Sequence, residues 1–277
     1  FITPIDRAAS TCRQRRARIR AASLAKRARP VTDGKKVCSR PAMPRSPLDE
    51  AHAARCADDL PGALRGCIAL LDADPNQLGA ALLAADLLIQ SDRPFVATEV
   101  ALRLVDAFVR RGDLPQAVVA ASVAEDGGED GDALRAGIAK VFGKGSKRLA
   151  DVAPTPPPLP PEVALGPLAK LKGDALWDRA EAAIQKYLAT DDAVAADQPV
   201  PMLPLFADLP PKALGDFLNA LELQDCSPGD EIIVQGEEGR EAFIVARGMC
   251  RVVRRAEEGE EELVLAGLGP GAIFGEM

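Results

Sequence analysis

An α+β, multidomain fold is predicted by three features of the sequence. Helical hydrophobic periodicity runs through residues 46–145, seven prolines crowd into 151–167, and short apolar runs punctuated by glycine begin at Asp225. The order is an N-terminal α-helical region, a Pro-rich linker, and a C-terminal antiparallel β-roll with a preceding helix.

Each helix carries its own start and stop signals. Ser46-Pro47-Leu48-Asp49 puts a capping side chain before a proline at the first helical position, with an acid in the first turn. Asp74-Pro75 repeats that signal and predicts a second start, after which Leu78, Leu82, Ala85 and Ile89 share one face. A further helix is expected from Pro94, with Val100, Leu104 and Phe108 in a stripe, ending near Gly112. Asp59-Leu60-Pro61-Gly62-Ala63 recurs as Asp113-Leu114-Pro115-Gln116-Ala117, each leading into another apolar helix. The echo resembles the turn and second helix of tetratricopeptide-like hairpins, which stack because one hairpin cannot bury its own apolar face. The spacing departs from that family's period and its aromatic positions are absent, so a plain helical bundle with two similar turns stands as the alternative. Gly127-Gly128 marks a break, and Gly143 and Gly145 end the last helix of this region.

The helical region is expected over 46–150, the Pro-rich linker over 151–173, a single amphipathic helix over 174–190, a second linker over 191–202, and the roll over 203–277. The single helix carries Trp177, Ala180, Ile184 and Leu188 at helical spacing. Within the last segment Pro211–Leu221 reads as the preceding helix. Ile232-Ile233-Val234, Phe243-Ile244-Val245 and Leu263-Val264-Leu265 read as strands. Gly229, Gly236, Gly239, Gly248 and Gly271 are placed at tight corners, where positive φ is required.

Charge, aromatics and cysteines narrow the functions. Residues 1–42 hold twelve Lys and Arg against two acids, whereas the remainder holds 22 bases against 39 acids. A body that acidic repels phosphate backbones, so no nucleic-acid partner is expected for it. The basic arm reads as a disordered tail, or as sequence lying upstream of a true start at Met43. No run approaches the length of a membrane span, the best, Leu78–Ile89, being interrupted by Asp86; no membrane partner is expected, and a cytoplasmic location is. Six cysteines without paired spacing predict buried free thiols and no metal site. With His52 as the single histidine and no nucleophile elbow, no catalytic residue is proposed and the chain is read as a non-enzyme.

The C-terminal residues carry a second and more specific resemblance. Pro204-Leu205-Phe206-Ala207-Asp208-Leu209-Pro210, a helix, Ser227-Pro228-Gly229-Asp230, Gln235-Gly236-Glu237, Glu238-Gly239, Ala242-Phe243-Ile244-Val245 and Gly248 follow one another in order. The tail Leu268-Gly269-Pro270-Gly271-Ala272-Ile273-Phe274-Gly275-Glu276-Met277 completes the run. Together they resemble the cyclic nucleotide-binding domain, with the tail similar to the start of that family's phosphate-binding cassette. Arg240 and Ala272 stand where the family commonly has aspartates.

The resemblance implies cyclic AMP or cyclic GMP as ligand, with no other cofactor. It places Phe274, Gly275, Glu276 and Met277 at the ligand, with Val252, Leu265 and Leu268 lining base and sugar or simply filling the roll. A cyclic phosphate is a monoanion that the family docks at the N-terminus of the short helix after Phe-Gly-Glu, where free N–H groups and the helix dipole favour it. The glutamate matched by Glu276 accepts a hydrogen bond from the ribose 2′-hydroxyl. The family's phosphate-pairing arginine has no counterpart before Met277. Arg247, Arg251, Arg254 and Arg255 fall on earlier strands and read as facing solvent. The roll is therefore expected to be an incomplete fragment, and residues 1–277 to bind cyclic nucleotide poorly.

These readings combine into a regulatory or sensory protein, in which a helical module with a protein partner is coupled to a nucleotide-binding roll. The alternatives are a scaffold whose roll binds no nucleotide, and the regulatory part of a longer transcription factor or kinase.

Overall fold

The computed structural model describes residues 46–153, 155–156, 159–190, 194–227, 229–236, 241–254 and 263–275. The expected basic arm, Gly239, Glu276 and Met277 lie outside these. The fold is α+β, with a helical N-terminal body followed by small β-ladders.

Helices α1 (Pro47–Cys56), α2 (Leu60–Ala73), α3 (Leu78–Gln90), α4 (Pro94–Arg111), α5 (Leu114–Asp126) and α6 (Gly131–Phe142) follow in order, and each packs on the next. Their starts are built as the sequence suggests. Ser46 and Asp49 form a reciprocal capping box on α1. Asp59 accepts from Gly62 N at 2.9 Å and Asp113 from Gln116 N at 3.1 Å, so the repeated turn is the same cap used twice. Gly112 closes α4 in the left-handed conformation at φ 75°.

The Asp74-Pro75 signal is displaced. Asp74 spends its carboxylate on Asn76 N, at 2.9 Å, and on the Gln77 amide, and α3 starts only at Leu78. Leu78, Leu82, Ala85 and Ile89 are buried as expected, but so are Ala80, Ala81, Leu83, Ala84, Leu87 and Leu88, because α2, α4, α5 and the later helix α7 all pack against α3. Alanine at four of these ten positions lets neighbouring helices approach closely without loss of helix propensity.

The chain beyond α6 is bound back onto this body. Leu149–Ala150 (β1) pairs in parallel with Val200–Pro201 (β2). The Pro-rich segment lies along the helices as a strap, ending in a 3-10 turn over Gly166–Lys170. Proline removes N–H donors, so few backbone bonds hold the strap; Thr155 N donates to Arg111 O at 2.9 Å, and carbonyls accept from the helices. Leu159 O accepts from Gln77 Nε2 at 3.3 Å, and Leu171 O from Arg65 Nη2 at 2.9 Å. Helix α7 (Asp174–Leu188) packs on α2, α3 and α4. Its buried face is Leu176, Ala180, Ala183, Ile184 and Tyr187; Trp177 and Leu188 sit at the rim, so the face is rotated from the predicted stripe. Arg103 caps the carbonyls of Leu188 and Thr190 and stacks 5.4 Å over the Tyr187 ring. Helix α8 (Pro211–Asn219) ends two residues short of Leu221 and lays Leu214 and Leu218 against α6.

The β part differs from expectation in one strand. Phe243–Ile244 (β3) pairs antiparallel with Ile273–Phe274 (β6), and Cys250–Arg254 (β4) with Leu263–Leu268 (β5). Ile232-Ile233-Val234 is not a strand: the backbone bends there and turns at Gly236, φ 88°, and Ile233 is left half exposed. The expectation of buried thiols also needs correcting. Cys67 is fully buried in α2, but Cys226 is exposed, and Cys56 and Cys250 are intermediate.

Candidate functional site

Phe274 and Gly275 come together at the end of the β3–β6 ladder. Phe274 pairs with Phe243 and their rings stack with centroids 5.3 Å apart. The ladder continues as a turn, with Val245 N donating to Ala272 O at 2.9 Å and Gly271 N to Val245 O at 2.8 Å; Gly271 has φ 83°. Gly275 has φ 88°, and a Cβ there would meet Glu241 O at 2.8 Å and Ile233 Cδ1 at 3.1 Å. Only glycine satisfies both demands, so the chain leaves β6 as bare backbone.

The apolar candidates are on the other ladder. Val252 pairs with Ala266, and Leu268 with Cys250, so Val252 and Leu268 are diagonal neighbours on one face. Leu265 is the extra residue of a bulge, falling between the Val252–Ala266 and Val253–Val264 pairs. Val252 is 41% and Leu265 57% exposed, so neither is roll core here. Gly229, Gly236 and Gly248 all have positive φ with open space around them.

Sequence reading missed a second set of residues, which joins this ladder to the helices. Arg247 was expected to face solvent; instead its Nη2 lies 3.1 Å from Asp49 Oδ1 on α1. Arg251 and Arg254 are exposed, and Arg255 lies outside the described residues. Gln116 Nε2, on α5, donates to Ala246 O at 2.6 Å. Arg55 bridges Asp86 Oδ2 at 2.9 Å and Asp225 Oδ2 at 3.1 Å. Val245 is buried beside these contacts.

The electrostatics of this junction follow from burial. Desolvation lowers the Arg247 pKa, with Asp49 opposing it. Burial, reinforced by the neighbouring charges of Arg247 and Arg55, lowers the His52 pKa to about 3, so it is neutral near pH 7. Burial raises the Asp86 pKa against the opposing pull of Arg55. The signal for the junction was present only as unpaired facts, an arginine in a glycine turn and a capping acid, because the partners are 198 residues apart.

Among the described residues no cluster of His, Cys, Asp and Glu suits a metal, and no helix is long and apolar enough to cross a membrane.

Comparison with known proteins gives residues 223–277 a family. They match the cyclic nucleotide-binding domain. The chain is 37% identical over 100 residues to a cyclic nucleotide-gated cation channel protein of Drosophila melanogaster, covering 36% of this chain and 13% of the channel protein. It is 39% identical over 64 residues to the cAMP-dependent protein kinase type I-alpha regulatory subunit of Mesocricetus auratus, covering 23% and 36%. It is 35% identical over 74 residues to a cGMP-dependent protein kinase, isozyme 2 forms cD5/T2, of Drosophila melanogaster, covering 27% and 8%. The chain thus spans well under half the length of these relatives. No tetratricopeptide family is identified in the helical region, and no solved structure matches.

Proposed function

We propose, from the premise that residues 223–277 are a cyclic nucleotide-binding domain homologous to regulatory domains of channels and kinases, that this chain is a cyclic nucleotide-responsive regulatory protein without catalytic activity. The helical body is the interaction module and the roll its ligand sensor. The observation that carries this reading is the bare backbone at Gly275, directly after the stacked Phe274, in the segment that matches the family. A cyclic phosphate needs N–H groups unobstructed by side chains, and Gly275, held at φ 88°, presents none where the matched family's cassette begins.

The junction supports a route for the response. Val245 and Ala246 are bonded on one side to the Gly271–Ala272 turn and on the other to Gln116, with Arg247 pinned to α1. A ligand that shifts Phe274–Gly275 therefore acts on α1 and α5 through one short ladder, as a population shift rather than a chemical step. The helix stack, each member packing on the next, supports the tetratricopeptide-like reading of the body and a protein partner for it.

The test is a calorimetric titration of cyclic AMP and of cyclic GMP into the protein as its gene encodes it, alongside Gly275→Val. Saturable binding of either nucleotide, lost in the variant, supports the sensor. Absence of binding to both leaves the scaffold reading in its place.

A further inference from the structure

Cys56 ends α1, and Cys226 lies in the segment that leads from α8 into the roll. They are 170 residues apart in sequence, yet the Cys56 Sγ lies 3.8 Å from the Cys226 carbonyl oxygen. An ion pair beside it pins this contact, with Arg55 Nη2 holding Asp225 Oδ2 at 3.1 Å. Ser227 N donates to Asp230 Oδ2 at 2.7 Å, closing the turn. The segment 225–227 is thus laid over the end of α1, with the Cys226 backbone against the Cys56 thiol. Cys226 is exposed and Cys56 intermediate.

We propose that Cys56 and Cys226 are an oxidisable pair that forms a disulfide on reaction with a peroxide, tying the roll covalently to the helical body. The exposed Cys226 thiolate attacks one oxygen of the peroxide, the O–O bond breaks, and a sulfenic acid forms as hydroxide leaves. The Cys56 thiolate then displaces hydroxide from that sulfur, forming the S–S bond. The two thiol protons and the two hydroxides make water. Two thiols and one hydrogen peroxide thus give one disulfide and two waters, with each sulfur losing one electron to the peroxide oxygens.

The surroundings set how readily this happens. Burial raises the Cys226 pKa, as do Asp230, Cys250, Asp225 and Cys56. Burial, Asp225 and Asp230 raise that of Cys56, opposed by Arg55. The pair therefore stays reduced against weak oxidants near neutrality and reacts faster as pH rises. This inference is independent of nucleotide binding.

Peptide mapping tests it. The full chain is treated with hydrogen peroxide, its remaining thiols are alkylated, and it is digested with trypsin without reductant. Cleavage after Arg55, Arg65, Lys212, Arg240, Arg247 and Arg251 puts Cys56, Cys226 and Cys250 in the separate peptides 56–65, 213–240 and 248–251. The expected product joins 56–65 to 213–240, two hydrogens lighter than their sum. Its formation should raise the melting midpoint by roughly 5–10 °C, reversibly with dithiothreitol. Cys226→Ser and Cys56→Ser abolish both effects, and Cys250→Ser abolishes neither. Cys226 joined to Cys250, linkage only between chains, or no linkage in protein of native helix content overturns the proposal.

Discussion

Arg247 Nη2 and Asp49 Oδ1 stand 3.1 Å apart, joining the glycine turn before β4 to the first turn of α1. Asp49 serves two structures at once, because its other oxygen accepts from Ser46 N at 3.1 Å and from Ser46 Oγ at 2.8 Å to close the capping box. The arginine thus holds the roll to a carboxylate that α1 already requires.

That double role orders two substitutions. Arg247→Ala loses the junction pair and should cost about 1–2 kcal/mol in urea unfolding, the range for a partly buried ion pair. Asp49→Ala loses the pair and the cap, and should cost about 1 kcal/mol more. Equal costs would mean that the cap adds nothing beyond the pair, and no cost for Arg247→Ala that the pair itself contributes nothing.

Gln116→Ala should weaken the same junction through the lost bond to Ala246 O, by about 1 kcal/mol. Gln116 N stays bonded to Asp113, so α5 keeps its cap and helix content should be unchanged by circular dichroism. A fall in helix content would place the effect in the cap instead.

His52 carries a pH signature. Its folded pKa of about 3 lies below its ordinary 6.5, so the unfolded chain takes up a proton that the folded chain refuses. Its contribution is whole above about pH 6.5 and is lost progressively towards pH 3, by about 2 kcal/mol at pH 5. Asp86 and Asp113, whose pKas burial raises, act in the opposite sense as pH falls. The quantity to read is therefore the difference between wild type and His52→Gln in urea midpoints at pH 7 and pH 5. A slope unchanged by the substitution would contradict a desolvated His52.

Two glycines separate backbone strain from contact. Gly128→Ala meets positive φ but open space, and should cost about 1 kcal/mol. Gly275→Ala meets positive φ and the Glu241 carbonyl at 2.8 Å, and should cost about 3 kcal/mol. Hydrogen exchange at the Val245 amide, bonded to Ala272 O, reads the second loss directly. Protection there equal to wild type would show that the turn relaxes freely.

Local signals were legible because they act within a few residues. Ser46, Asp59, Asp113 and Gly112 begin or end helices where cap chemistry puts them, and Phe243-Ile244 and Leu263–Leu265 fall in strands. Asp74-Pro75 carried the same pattern and made a turn instead, since the Asp74 carboxylate was taken by Asn76 and Gln77. Ile232–Val234 has strand composition, yet the chain bends there, a matter of tertiary context that composition does not carry. The β1–β2 ladder and the Arg247–Asp49 pair join positions far apart, and two-residue strands and single arginines have no periodicity to announce them. Of the candidate site, Phe274 and Gly275 proved to share one strand end. Val252, Leu265 and Leu268 stand on the other ladder, and Glu276 and Met277 lie outside the described residues.

Hydrogen exchange of the peptide Pro47–Cys56, with and without saturating cyclic AMP or cyclic GMP, tests the nucleotide-responsive account most directly. Nucleotide should change protection in this helix, which Arg247 and Arg55 tie to the roll, and Arg247→Ala should diminish that change. Nucleotide that binds and leaves α1 untouched, or that fails to bind the gene-encoded protein at all, would contradict it.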